Sequence, residues 1–288
     1  MSIPPQIIGG HQADPGEWPF MVALYSKNRV KKKLKPFSNF ISIKDAFFCG
    51  GFFIGNEWIV TAAHCLKNSE LQASNKDKES IGVAINSYNL NNIKILDTRN
   101  VVEMIEHEGF DYANKYKDWL NTSDLKLRNK SDDIALLRIN LLDKELPKNT
   151  LSLNNNSQLI NPGNKVIMLG WGDLGLTWLT KQVSDILNEG VNQIYSNTQK
   201  DSNKINHLLE LRGRPVSSLG DSGSPLLTYY LKQWYVIGIT SGGGYYTNLF
   251  THLPWIKIIT EININQGNFV GNPPYWITPT TTSTLRRR

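Results

Sequence analysis

"SSLGDSGSPLL", residues 217–227, can be read in two ways. Gly, Asp, Ser and Pro in a cluster are what any surface turn contains, and on this stretch alone the turn is favoured. The other reading makes Ser222, between Asp221 and Gly223, a nucleophile. A serine hydroxyl attacks at neutral pH only when a base stands beside it and a carboxylate holds that base in the right tautomer. The rest of the chain therefore decides what the stretch is.

Two further stretches supply those groups. "IVTAAHC" (59–65) ends a β-rich run in small residues and delivers His64 beside Cys65. "SDDIALLRI" (131–139) places an acidic pair before an apolar run. Each is weak alone, since a single histidine is usually structural and acidic residues often begin strands. Together they set a His, an Asp and a Ser at strand edges or turns, in the order His64, Asp133, Ser222. That is the order of the chymotrypsin-type triad.

From about residue 7 to residue 260 the chain resembles the chymotrypsin/trypsin-like serine peptidases. The likeness runs in order through "IIGG" (7–10), "PGEWPFMVAL" (15–24), "CGGFFI" (49–54), "TAAHC" (61–65), "DIALLRI" (133–139), "GWG" (170–172), "GDSGSP" (220–225), "GITS" (238–241) and "PWI" (254–256). The resemblance implies an all-β fold of two packed six-stranded antiparallel β-barrels, the cleft between them, and a C-terminal helix. It implies that Ser222 attacks the scissile carbonyl, that His64 takes and later returns the proton, and that Asp133, directly before "IALL", orients His64. The N–H groups of Gly220 and Ser222 would form the oxyanion hole.

It also implies a bridge between Cys49 and Cys65, the two cysteines of the chain, pinning the segment that presents His64 and pointing to an oxidising compartment. From the cysteine count alone, one bridge and two free thiols are both open. The sparse cysteine usage looks more like a bacterial member of the family than an animal one.

Two departures matter. Val216 matches the pocket-floor position that is acidic in trypsin-like members, so tryptic specificity is not expected. Ser217 stands next to it, and Ser241, Gly242 and Gly243 match the strand that binds substrate backbone, with Gly243 leaving the pocket mouth open. A medium or large apolar residue before the cut is the expectation. The second departure is that "MSIPPQ" precedes Ile7, the residue whose freed amine would pair with Asp221 in an activated member. The reading is a zymogen with a propeptide-like leader at 1–6, cut after Gln6 by another peptidase. A peptidase domain follows over 7–265, its barrels meeting near 141–160, and a Pro/Thr-rich tail over 266–288. Ser224 stands where glycine is commoner and is expected to be tolerated.

The 288 residues are 40% hydrophobic and 19% charged, which suits a globular chain rather than a disordered one. The net charge of +6 is concentrated in "SKNRVKKKLKP" (26–36) and "RRR" (286–288), a loop and a tail rather than a basic helix, so no nucleic-acid partner is expected. There is no apolar run long enough to span a membrane. No Cys/His pattern suggests zinc and no cofactor is expected; Glu70, Asp77 and Glu79 leave calcium open without a visible ligand geometry. Sequons at Asn121, Asn129 and Asn155 are what an asparagine-rich chain yields by chance. The expected partners are a protein or peptide substrate and an activating peptidase, acting on an exported monomer. The competing reading is a catalytically silent family member that binds anionic surfaces or proteins through its basic loop or tail.

Short β-rich runs at 20–25, 48–54, 57–62, 134–139, 164–172, 224–230 and 233–241 are the expected strands. "PWIKIITEINI" (254–264) is the expected helix, with Trp255, Ile258, Ile259 and Ile262 facing the barrel. The polar stretches near 66–80, 111–131 and 188–207 read as exposed loops.

Overall fold

The computed structural model describes residues 7, 10–30, 39–67, 78–110, 132–141, 150–172, 183–197, 207–263, 267, 269 and 271. Its strands are β1 (His11–Gln12), β2 (Met21–Ser26), β3 (Phe40–Ile41), β4 (Phe47–Gly55), β5 (Trp58–Thr61), β6 (Ile81–Ile85), β7 (Ile93–Lys94), β8 (Thr98–Glu106), β9 (Ala135–Ile139), β10 (Ser152–Leu153), β11 (Lys165–Gly170), β12 (Asn188–Ser196), β13 (Leu208–Leu211), β14 (Pro225–Tyr230), β15 (Gln233–Gly242) and β16 (Tyr245–Asn248). One α-helix, α1 (Leu249–Thr260), follows.

Two rings of six antiparallel strands result. The first closes in the order β2-β4-β5-β9-β8-β6. In the second, β12-β11-β14-β15-β16-β13 is closed by the pairing of β13 with β12. Closing a sheet on itself removes the unpaired edge that an open sheet presents to other chains. Val22, Leu24, Phe52, Ile59, Val60 and Leu136 are fully buried in the first ring, and Val166, Leu209, Leu226 and Ile237 in the second. The short β1 pairs with β12 (His11↔Glu189), tying the start of the domain to the second ring.

All seven apolar runs expected as strands are strands. β12 was not expected: it lies in the stretch near 188–207, read as an exposed loop because it is rich in Lys, Asn and Ser. Those polar groups are partnered inside the protein. Asn188 donates its amide to the Ile186 carbonyl at 2.6 Å, and buried Glu189 accepts the Trp18 indole N–H at 2.7 Å and faces His11 Nε2 at 2.9 Å. The helix is also corrected. It begins at Leu249, where the Asn248 side chain accepts the Phe250 N–H at 3.1 Å, and it carries Pro254 in its interior. Its buried residues are Leu249, His252, Leu253, Ile256 and Thr260. Trp255, Ile259 and Ile262 of the expected apolar face pack, partly buried, against the core, while Ile258 is 80% exposed. The expected helix was placed by the spacing of Trp255, Ile258, Ile259 and Ile262, which does not reach back to the buried Leu249, His252 and Leu253 of its first turns.

Residues 31–38 of the basic insert, most of the 66–80 segment, all of 111–131 and the 272–288 tail lie outside the described residues. No helix among the described residues is long and apolar enough to cross a membrane.

Candidate active site

β5 runs into a short 3-10 turn over Ala63–Lys67 that presents His64, while Asp133 comes just before β9, the hydrogen-bonded neighbour of β5. His64 Nδ1 lies 2.8 Å from Asp133 Oδ2, and the His64 backbone N–H donates to Asp133 Oδ1 at 2.9 Å. The Ser241 hydroxyl donates to Oδ2 at 2.6 Å, and Thr247 Oγ1 donates to the Asp133 carbonyl at 3.1 Å. Asp133 is fully buried. A buried carboxylate needs such donors to remain ionised, and here they also fix the plane of the imidazole.

β4 holds both sides of the site. Its Cys49 is bridged to Cys65, next to His64, closing a loop with a sequence separation of 16. A loop of that size stabilises by roughly 3 kcal/mol on the chain-entropy account. The next residue, Gly50, donates its N–H to the Ser222 carbonyl at 2.8 Å. Gly223 donates to the Thr240 carbonyl at 2.9 Å, and a Cβ on it would overlap the Gly50 carbonyl and Thr61 Oγ1 and crowd the Ala62 nitrogen. The turn bearing Ser222 is thereby seated against the chain two residues before His64. Gly220, at φ +102°, holds a conformation that a side chain would strain, so the residue type follows from the shape of the turn.

Asp221 points the other way, into the second barrel, and is buried. Its carboxylate accepts the Gly172 N–H at 2.7 Å and the Ser218 N–H at 2.8 Å, with the Ser218 hydroxyl at 3.3 Å. Side chains at Gly170 or Gly172 would overlap that carboxylate, which accounts for the "GWG" stretch. Burial pushes the Asp221 carboxyl up to about 7, against the pull of the Ser218 and Gly172 donors. No cation among the described residues pairs with it. Ile7 is fully buried in the same barrel beside Gly190, which packs on Pro215.

A family model, Trypsin, matches residues 7–256. The chain belongs to the trypsin family. Among similar proteins, coagulation factor XI from Bos taurus is 25% identical over 280 residues, covering 89% of this chain and 38% of that one. The clotting factor G beta subunit from Tachypleus tridentatus is 26% identical over 284 residues, covering 88% of this chain and 80% of that one. The chain thus spans well under half of the factor XI chain. Both relatives are animal proteins, and the bacterial likeness drawn from the cysteine count finds no counterpart in them.

Of the residues expected to bind substrate, Ser241, Gly242 and Gly243 lie at the end of β15 and its turn into β16. Gly242, Gly243 and Gly244 all have positive φ (129°, 59° and 83°), and Gly242 pairs with Tyr245, so the chain reverses within two residues. Ser241 sits in the bulge between Thr240 and Gly242. The Val216 side chain stands 3.7 Å from the position a Cβ on Gly244 would take. Buried Ser217 lies near the buried Tyr246 hydroxyl, which desolvation pushes well above its ordinary range. Neither hydroxyl completes a hydrogen bond among the described residues.

Sequence reasoning placed Ser241 on the substrate strand and missed its bond to Asp133; the only signal was its position, since a serine in a strand is otherwise unremarkable. It also passed over Asp132, whose carboxylate lies among His107, His207 and His252. Ser224 is fully buried, and its hydroxyl has no hydrogen-bond partner among the described residues. Removing an unpaired buried hydroxyl relieves a desolvation cost. Ser224→Ala is therefore expected to stabilise by about 1 kcal/mol, raising Tm by about 2–4 °C. A thermal melt that moved downward would show that the hydroxyl has a partner.

Proposed function

We propose that this chain is a secreted serine endopeptidase acting through an acyl-enzyme. The observation that carries the reading is the hydrogen-bonded set His64–Asp133–Ser241 set against the turn that bears Ser222. Ser222 Oγ attacks the scissile carbonyl as His64 Nε2 takes its proton, and Asp133 holds the Nδ1–H tautomer and stabilises the imidazolium. The N–H groups of Gly220 and Ser222 receive the oxyanion, each such donor contributing roughly 3–4 kcal/mol to the transition state. His64 then passes the proton to the leaving amine, and water repeats the sequence on the ester.

The S1 pocket, with Val216 in place of an acidic floor residue, takes an apolar side chain before the scissile bond. The Cys49–Cys65 bridge suits an oxidising compartment. Activation follows cleavage before Ile7, the buried position of Ile7 and the uncompensated Asp221 carboxyl supporting this.

A fluorophosphonate probe tests the reading. The chain with its leader, a chain beginning at Ile7, and Ser222→Ala in the trimmed form would be compared. Labelling confined to the trimmed chain and abolished by the substitution is the expected result. Absence of labelling in both unsubstituted forms would reject the peptidase assignment.

A further inference from the structure

Three of the five histidines in the chain converge on one carboxylate outside the cleft. His107 follows β8, Asp132 precedes β9, His207 precedes β13, and His252 lies on α1. Asp132 Oδ1 is 3.0 Å from His252 Nε2 and 2.5 Å from His207 Nδ1, and Oδ2 is 3.5 Å from His107 Nδ1. His252 is 1% exposed, Asp132 14%, His107 15% and His207 44%. The cluster is thus walled on the inside and open on one flank.

The hydrogen bonds around the rings say where their lone pairs point. A carbonyl only accepts, so His252 Nδ1, 2.8 Å from the Asn248 carbonyl, carries a proton. A neutral His252 then turns its Nε2 lone pair toward Asp132. A backbone carbonyl on the far ring nitrogen is also the usual support for a metal-bound histidine. His107 Nδ1 faces Asp132 Oδ2 and accepts the Gly109 N–H at 3.1 Å, so Nδ1 carries a lone pair that a metal ion would take over from that N–H. Lone pairs brought together on a carboxylate call for a positive centre between them, either a proton or a metal ion.

The ligand atoms of His107, Asp132 and His252 lie within 4.8 Å of one another. Ligands about 2.0–2.1 Å from a tetrahedral zinc stand about 3.4 Å apart, so small movements would complete the geometry. Imidazole and carboxylate together suit a zinc-class divalent ion. The other group of such residues, Cys49, His64 and Cys65, offers no thiolate because its cysteines are bridged.

We propose that His107, Asp132 and His252 bind a zinc-class divalent cation, with His207 turning in as the fourth ligand, and that the ion clamps the segment before Asp133 to the second barrel and α1. Binding is independent of whether Ser222 is a nucleophile.

The test is calorimetric titration of the full chain with zinc chloride, alongside thermal melts with and without zinc. One zinc per chain is expected, with Tm rising by about 5–10 °C at a hundredfold excess over Kd. Asp132→Asn and His107→Gln should each weaken binding at least about tenfold, and the exposed His207→Gln should weaken it without loss of the zinc-free fold. His64→Ala should leave binding unchanged. Absence of stoichiometric binding to the unsubstituted chain would mean that the cluster holds protons and would overturn the proposal. Binding that survives Asp132→Asn and His107→Gln, or that is lost in His64→Ala, would overturn it too.

Discussion

Asp133→Asn is expected to lower kcat on a peptide substrate by about 10⁴-fold, as the same change does in a chymotrypsin-type triad. The reason lies in what Asp133 accepts. Its two oxygens take the His64 ring N–H, the His64 backbone N–H and the Ser241 hydroxyl, all within 2.9 Å. An asparagine offers one acceptor and one NH₂, so at least one of these donors meets another donor. The His64 ring can relieve the conflict by moving its proton to Nε2, and Nε2 is the atom that must accept from Ser222. KM should move little, because no substrate contact is lost. Ser241→Ala is the milder comparison: it removes one donor and leaves the tautomer intact, for a loss of about 10–100-fold. Steady-state kinetics on the trimmed chain measures both. If Asp133→Asn cost no more than Ser241→Ala, the carboxylate would not be setting the tautomer.

The difference between those two residues bears on what the sequence could tell. Asp133 was legible because the chemistry demands a carboxylate and "DIALLRI" set one before a strand. Ser241 was legible only as part of a substrate strand, since its hydroxyl reaches Asp133 across 108 positions of sequence and no local pattern records that. Runs such as "FMVALY" (20–25) and "QWYVIGITS" (233–241) marked strands, and the resemblance to the serine peptidases, not the runs, supplied the two barrels. β12 did not follow, because Asn188 and Glu189 are polar residues partnered inside the fold, and partners are tertiary facts. The start of the helix was misplaced as well. The apolar spacing was counted from Trp255, while the cap that starts α1 is Asn248, outside that pattern. The histidine cluster was invisible for the same cause as Ser241: four residues from four segments share no spacing.

Removing the six residues before Ile7 is expected to change both activity and the pH dependence of stability, and Asp221 links the two. With the leader in place, burial holds the Asp221 carboxyl up to about 7, whereas an unfolded chain releases that proton near 4. Between those values the folded protein carries the extra proton. Its stability should therefore fall as pH rises from about 4 to about 7, by up to about 1.4 kcal/mol per pH unit from this group. Glu189, which burial and then the Glu17 charge also push up to about 7, adds a slope of the same sign. That slope is common to both forms and cancels between them. In the trimmed chain the Ile7 ammonium would pair with Asp221, the carboxylate would ionise, and the Asp221 slope should vanish.

Peptidase activity should appear with it, because the paired carboxylate draws the 217–222 turn into the shape that exposes the Gly220 and Ser222 N–H groups. Asp221→Asn in the trimmed chain leaves the buried ammonium without its partner, a loss of about 3–5 kcal/mol, so kcat/KM should fall by about 10²–10⁴-fold. Urea melts at intervals from pH 4 to pH 8 on the two forms, with kinetics on the variant, read out both halves. Equal pH slopes in the two forms would show that the Ile7 amine does not reach Asp221. Full activity in Asp221→Asn would show that the turn is built without it.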